Sequence, residues 1–133
     1  MICEMMCEET NMIFINLSNH PSKFWGEKQR TASLKYGEIL DYPFPAVDPR
    51  ATSEDVNTLA DQISEDIVMK SPSVVMCQGE FTLTFAIVHR LQEKGIKVLS
   101  ACTERHVSEE TDESGRTSRK SVFEFVQYRE YLY

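Results

Sequence analysis

Val74-Val75-Met76-Cys77 breaks off into Gln78-Gly79-Glu80-Phe81-Thr82, and that change of character decides the fold. Four apolar residues without a polar interruption are too few for a helix and suit a strand buried on both faces of a parallel sheet. The turn carries glycine, and beyond it Phe81, Phe85, Val88 and Leu91 recur at helical spacing until Lys94-Gly95. Two other runs end in the same way. Ile13-Phe14-Ile15 passes into Asn16-Leu17-Ser18-Asn19-His20-Pro21-Ser22, and Ile96-Lys97-Val98-Leu99 into Ser100-Ala101-Cys102-Thr103-Glu104-Arg105-His106. The carboxyl ends of strands in an open parallel sheet line a crevice where ligands bind. Three polar tips therefore converge on one candidate site.

The intervening segments complete the pattern. A first strand at about residues 12–17 leads to a helix from near Ser22 to Tyr36, with Trp25, Gln29, Ala32 and Tyr36 on one stripe and Gly37 as its stop. Glu38 to Tyr42 reads as a short strand, ended by Pro43-Phe44-Pro45. Thr52 with Asp55 resembles a capping box, and Val56, Leu59, Ala60, Ile63 and Ile67 form the apolar face of the helix it opens. Strands follow at 73–77 and 96–101. Residues 107–120 lack apolar periodicity and read as a mobile hairpin loop, and a last strand at 121–128 returns antiparallel on the edge of the sheet. The sum is a Rossmann-like, three-layer α/β domain, mainly parallel, with a C-terminal antiparallel β-hairpin strand. It spans 12–133; residues 1–11 read as an N-terminal extension, disordered or not native to the domain, because Met12-Ile13-Phe14 is itself a natural start.

The net charge of −7 over 133 residues argues against a broad basic face for duplex nucleic acid. It leaves room for a small phosphorylated ligand held by backbone amides and one or two cations. No apolar stretch is long enough to span a bilayer and no signal peptide is evident, so no membrane partner is expected. Cys3 and Cys7, Cys77 and Cys102 make no CxxC or Cys/His spacing for zinc; Cys77 and Cys102 read as buried reduced thiols of a cytoplasmic protein. There is no Walker loop or GxGxxG fingerprint, and Asp48, Glu54 and Asp55 lack metal-ligand spacing, so neither cofactor nor metal is expected.

The chemistry must then come from the tips. Asn16, Ser18, Asn19, His20 and Ser22 precede a helix, whose N-terminal N–H groups and dipole favour an anion. Capping accounts for one of the hydroxyls or amides, and the rest exceed that need. At the second tip Gly79 lets backbone approach a ligand, Gln78 and Thr82 offer hydrogen bonds, and Glu80 is equally what dipole complementarity alone selects. At the third, Thr103 and Arg105 supply a hydroxyl and a planar cation matched to phosphate oxygens, unless Arg105 is spent on a neighbouring carboxylate. His20 and His106 can act as acid or base near neutral pH. Phe123, Phe125, Tyr128, Tyr131 and Tyr133 are half core by alternation, and the rest, with Leu132, leave an apolar C-terminal edge, as expected where a second subunit pairs.

The Asn-Leu-Ser-Asn-His stretch after the first strand, the glycine turn after the central strand and the closing β-hairpin resemble the CRISPR-associated Rossmann-fold (CARF) proteins, in particular the small standalone ring nucleases. The resemblance covers about residues 12–131 and rests on architecture and the placement of the tips. It implies a homodimer that cups a cyclic oligoadenylate, the messenger of type III CRISPR defence, and cleaves it without a metal through attack by a ribose 2′-hydroxyl. On this chain it implies Asn16, Ser18, Asn19 and His20 around one phosphate, Gly79 and Thr82 as a second contact and Arg105 as the cation. His20, Ser18 and Arg105 would be catalytic, with Asn16, Asn19, Ser22, Gln78, Gly79, Glu80, Thr82 and Thr103 binding. The acidic balance departs from a basic ligand cup. A non-catalytic nucleotide sensor acting through a partner protein, or an α/β enzyme on another phosphorylated small molecule, is the competing expectation.

Overall fold

The computed structural model describes residues 12–133, so the reading of 1–11 as an extension lies outside the described residues. Strand β1 (Ile13–Ser18) lies inside the sheet because Phe14, Ile15 and Leu17 are apolar towards both faces, and all three are fully buried. It pairs in parallel with β2 (Glu38–Pro43) on one side and with β3 (Val74–Cys77) on the other. Strand β3 pairs in parallel with β4 (Lys97–Thr111), and β5 (Thr117–Glu130) runs antiparallel along the outside of β4. The resulting order β2-β1-β3-β4-β5 reverses direction between β1 and β3.

Three helices cover this sheet. Helices α2 (Ser53–Met69) and α3 (Phe81–Glu93) lie on one face, where Ala60, Ile63 and Ile67 meet Leu83, Ile87 and Leu91 over Ile15, Leu17, Val75 and Val98. The segment carrying α1 (Glu27–Leu34) lies on the other, with Trp25 and Tyr36 packed on Phe14, Val74, Met76 and Leu99. The expected capping box opens α2: Asp55 N donates to Thr52 Oγ1 at 3.1 Å and Thr52 N donates to Asp55 Oδ2 at 3.0 Å. Among the described residues no helix is long and apolar enough to cross a membrane.

Four expectations are corrected. The first helix does not begin at Ser22: a 3-10 turn at Ser22–Phe24 precedes extended Trp25 and Gly26, and α1 starts only at Glu27. Ser22 caps nothing, since its N–H and Oγ both donate to Asp41 of β2. Phe81 and Phe85 are not core but 90% and 76% exposed. They sit two residues from the true stripe of Leu83, Ile87 and Leu91, about 200° around a helix of 3.6 residues per turn.

The third and fourth corrections concern the C-terminal hairpin. Residues 107–120 are not a loop, because β4 continues to Thr111 and β5 starts at Thr117. Polar pairing replaces the missing apolar pattern: Arg119 meets Glu109 at 3.1 Å, Lys120 lies 3.8 Å from Glu110, and Thr111 faces Thr117 at 3.3 Å. Asp112 organises the turn by accepting from Ser114 N and Arg116 N, and Gly115 takes φ +83°. Thr103 to His106 are therefore not a strand tip but the root of a projecting two-stranded arm. Nor does β5 keep the regular two-residue period of a strand. Cys102 pairs with Gln127 and Thr103 with Phe125, which leaves Val126 as a bulge, so Phe125 and Tyr128 pack together at 4.9 Å despite their odd spacing.

Phe14 joins these parts on the α1 face. Its ring lies 6.3 Å edge-on to Trp25, 6.1 Å from Tyr36 in a stacked pair and 5.5 Å from Tyr128. Phe14→Ala is expected to destabilise the chain by about 3–5 kcal/mol, measured as a lower urea midpoint at unchanged m-value. A loss below about 1 kcal/mol would show that the surrounding rings collapse into the gap.

Candidate functional site at the switch point

Where the strand order reverses, Ser18, Asn19 and His20 leave the top of β1 while Gln78 and Gly79 leave β3. They line a cleft of about 1060 Å³. Gly26, Glu27 and Lys28 wall it from the start of α1, Phe24 from the 3-10 turn and Phe81 from the start of α3. Thr103, Phe123 and Phe125 close it from the root of the arm, and Tyr131 from the C-terminal segment. The structure thus gathers Ser18, Asn19, His20, Gln78, Gly79 and Thr103. Asn16, Ser22, Glu80, Thr82 and Arg105 are not among the lining residues.

Each of these placements has a local cause. Asn16 is buried within β1 and spends its amide on the fold: Nδ2 donates to His20 O at 2.9 Å and to Asp41 Oδ1 at 2.9 Å. Ser18 Oγ donates to Asn16 Oδ1 at 2.7 Å and accepts from His20 N at 3.2 Å. Trp25 Nε1 also donates to His20 O at 3.1 Å. The peptide groups of His20 are therefore fixed from several sides, while its imidazole is exposed at the cleft and has no hydrogen-bond partner among the described residues.

The two helix starts facing this region differ. Glu80 caps α3 by accepting from Leu83 N at 3.1 Å and from Thr82 N, and Thr82 Oγ1 donates to its Oε2 at 2.7 Å. The hydroxyl of Thr82, with the backbone amides of Leu83 and Thr82, holds the Glu80 carboxyl below the usual carboxylate range. A group depressed in this way contributes its stability above the ordinary carboxylate pKa and loses it as pH falls through the lowered value. The amides of this helix start are spent on Glu80. Gly26, the N-cap of α1, offers no side-chain cap, so the first-turn N–H groups of α1 remain available beside Lys28.

Gln78 bridges strands: its Oε1 accepts from Ser100 Oγ at 3.3 Å and from Ala101 N. Tyr131 donates to Cys77 O at 2.8 Å, and burial pushes its phenol up. Cys77 itself is enclosed, and burial pushes its thiol up to about 12, which keeps it neutral. Cys102 is only half-buried. Arg105 lies out on the arm, donating from Nη2 to Ser121 Oγ at 2.9 Å and from Nε at 3.2 Å, rather than to a carboxylate. Its register partner is Phe123, a cleft residue, so Arg105 stands at the rim while its guanidinium reaches along the arm to Ser121. His106 sits between Glu124 at 3.2 Å and Glu104 at 3.6 Å and is not itself among the lining residues.

Sequence reasoning missed Phe24, Lys28, Phe123 and Tyr131 as walls. Only the density of aromatics after residue 122 signalled the last two, and nothing local signalled Lys28. The lining charges are mixed: Lys28 against Glu27 and Glu124.

The chain belongs to the family described as the uncharacterized protein MJ1673 family, whose model matches residues 12–129. None of the curated proteins matches the chain.

Gly79 has a structural reason of its own. A Cβ there would overlap the ring of Phe44, which is 4% exposed and belongs to the α2–α3 core. Gly79→Ala is expected to destabilise by about 1–3 kcal/mol, as overpacking does, and Phe44→Leu in the same chain is expected to recover part of that loss. Additive losses in the double variant, read by thermal and urea unfolding, would show that Phe44 is not what excludes the methyl group.

Proposed function

We propose that the cleft binds a nucleotide messenger of the cyclic oligoadenylate class and that the chain cleaves it, as a homodimer in the cytoplasm. One observation carries this reading. The uncapped start of α1, with Lys28, opens into the same switch-point cleft as the exposed rings of Phe24, Phe81 and Phe123. A helix N-terminus suits phosphate, and exposed aromatic faces suit bases, with stacking contributing about 1–3 kcal/mol per base. The ring nuclease activity itself rests on the likeness to CARF proteins.

The chemistry assigned to the site is in-line transfer. A ribose 2′-oxygen bonds to the neighbouring phosphorus as the P–O5′ bond breaks; the 2′-hydroxyl proton passes to the His20 imidazole and the departing 5′-oxygen takes a proton from water, leaving a 2′,3′-cyclic phosphate and a 5′-hydroxyl. Amides at the α1 start and Lys28 stabilise charge on the equatorial oxygens. Arg105, across from Phe123 at the rim, meets a ring that projects past the cleft.

A non-catalytic sensor is the second reading, favoured by a specific observation. The Ser18 hydroxyl is committed to Asn16, and Arg105 to Ser121, which leaves His20 alone among the three groups assigned to catalysis free to act. The two readings separate on labelled cyclic tri-, tetra- and hexa-adenylate incubated with the protein, with and without EDTA. Cleavage of one ring size is expected in both conditions. His20→Ala is expected to slow it by at least about tenfold with affinity held within a few-fold, the mark of lost transition-state stabilisation. Binding without turnover in the wild type would establish the sensor, and no binding of any ring would end both readings.

A further inference from the structure

The outer edge of β5 carries a pattern that a second copy of this chain completes. Among the described residues no strand pairs with that edge, and residues 103–124 of the arm are exposed along both strands. A two-stranded ribbon is marginal in water and gains independent stability from a third strand. The stretch Arg119-Lys120-Ser121-Val122-Phe123-Glu124 sets cations at one end, apolar residues in the middle and an acid at the other end.

The hydrogen-bond phase limits how that edge can pair. Asp112 N donates to Arg116 O at 2.9 Å across the turn, and the register then runs unbroken to Thr103 and Phe125. By the alternation of antiparallel ladders, Ser118, Lys120, Val122 and Glu124 turn their backbone groups towards β4. Arg119, Ser121 and Phe123 turn theirs outward. Two copies related by a two-fold axis must oppose outward groups to outward groups, so the axis passes through a residue and not between residues.

We propose that two chains join edge to edge through β5 with the axis at Val122, forming one continuous ten-stranded sheet. In this register Ser121 exchanges backbone hydrogen bonds with the partner's Phe123. Lys120 stands directly opposite the partner's Glu124, twice by symmetry, and Val122 opposite the partner's Val122. Shifting the axis to the next outward residue on either side sets Lys120 against a valine, the partner's Val122 or the partner's Val126. The register at Val122 therefore matches charge and apolar surface together. Lys120 is free to turn to it, since its contact with Glu110 is a loose, exposed 3.8 Å pair.

Three variants test the arrangement in the full chain without nucleotide, so the result stands apart from the ligand reading. The wild type is expected to sediment as a dimer at micromolar concentration. Val122→Cys is expected to cross-link under mild oxidation, because facing residues of a non-hydrogen-bonded pair lie about 4.5 Å apart at Cα, within disulfide reach. Ser121→Cys, offset from its own counterpart by two residues, is expected to stay at the wild-type background. Lys120→Glu is expected to weaken the dimer by about tenfold or more, and Lys120→Glu with Glu124→Lys to restore it. A monomeric wild type, or a dimer in which Val122→Cys cross-links no more than Ser121→Cys, overturns the proposal.

Discussion

The buried side-chain amide of Asn16 sets the geometry on which the upper surface of this protein depends. A polar group within a central strand is tolerated only if its hydrogen bonds are made, and both Nδ2 donors and Oδ1 are engaged. Those bonds reach three places at once: Asp41 on β2, Ser18 on β1 and the carbonyl of His20 beyond the strand. Asp41 in turn holds Ser22, and the His20 carbonyl holds Trp25. The chain is thereby folded back over the end of β1, and α1 starts at Glu27, beside the cleft. Residues that read as ligand-binding in the sequence thus act one layer below the surface, placing Asn19, His20 and Lys28.

The α/β layering and the mostly parallel sheet were legible in the sequence because buried strands and amphipathic helices announce themselves through apolar periodicity. The run Val74 to Cys77 and the stripe from Val56 to Ile67 are read from composition alone, and both hold. The arm was illegible for the opposite reason. Its order comes from cross-strand pairs such as Glu109 with Arg119, and from the Asp112 turn, and pairing partners are invisible until the register is known. The same blindness affected the site. The tips of β1 and β3 were found because polar residues follow apolar strands. The reach of Arg105 was misjudged because β4 does not stop where its apolar run stops.

Phe81 and Phe85 illustrate a subtler ambiguity. Helical spacing alone cannot distinguish the stripe Phe81, Phe85, Val88 from the stripe Leu83, Ile87, Leu91, since α3 carries apolar residues on both sides. Burial of the second stripe against α2 keeps Val88 in the core but leaves Phe81 and Phe85 in water, with Phe85 stacked on His89 at 6.5 Å and Phe81 at the cleft. An exposed ring beside a polar crevice is unusual for a core-forming residue and ordinary for a surface that meets a ligand.

The bulge at Val126 ties the arm to the cleft. Tyr128 must face α1, where it packs on Phe14 and its hydroxyl lies 2.6 Å from Ser33 Oγ and 3.3 Å from Gln29 Nε2. Phe125 and Phe123 must face the same side to wall the cleft. Residues three apart in a regular strand point to opposite faces, so an unbulged β5 could satisfy one requirement and not the other. One unpaired residue reverses the phase between Cys102 and Thr103, and both requirements are then met. The same reversal decides which residues of β5 share the cleft side, and so sets Phe123 across from Arg105 of β4. The extra residue in β5 therefore brings Phe123 and Phe125 to the side of the sheet that Tyr128 occupies.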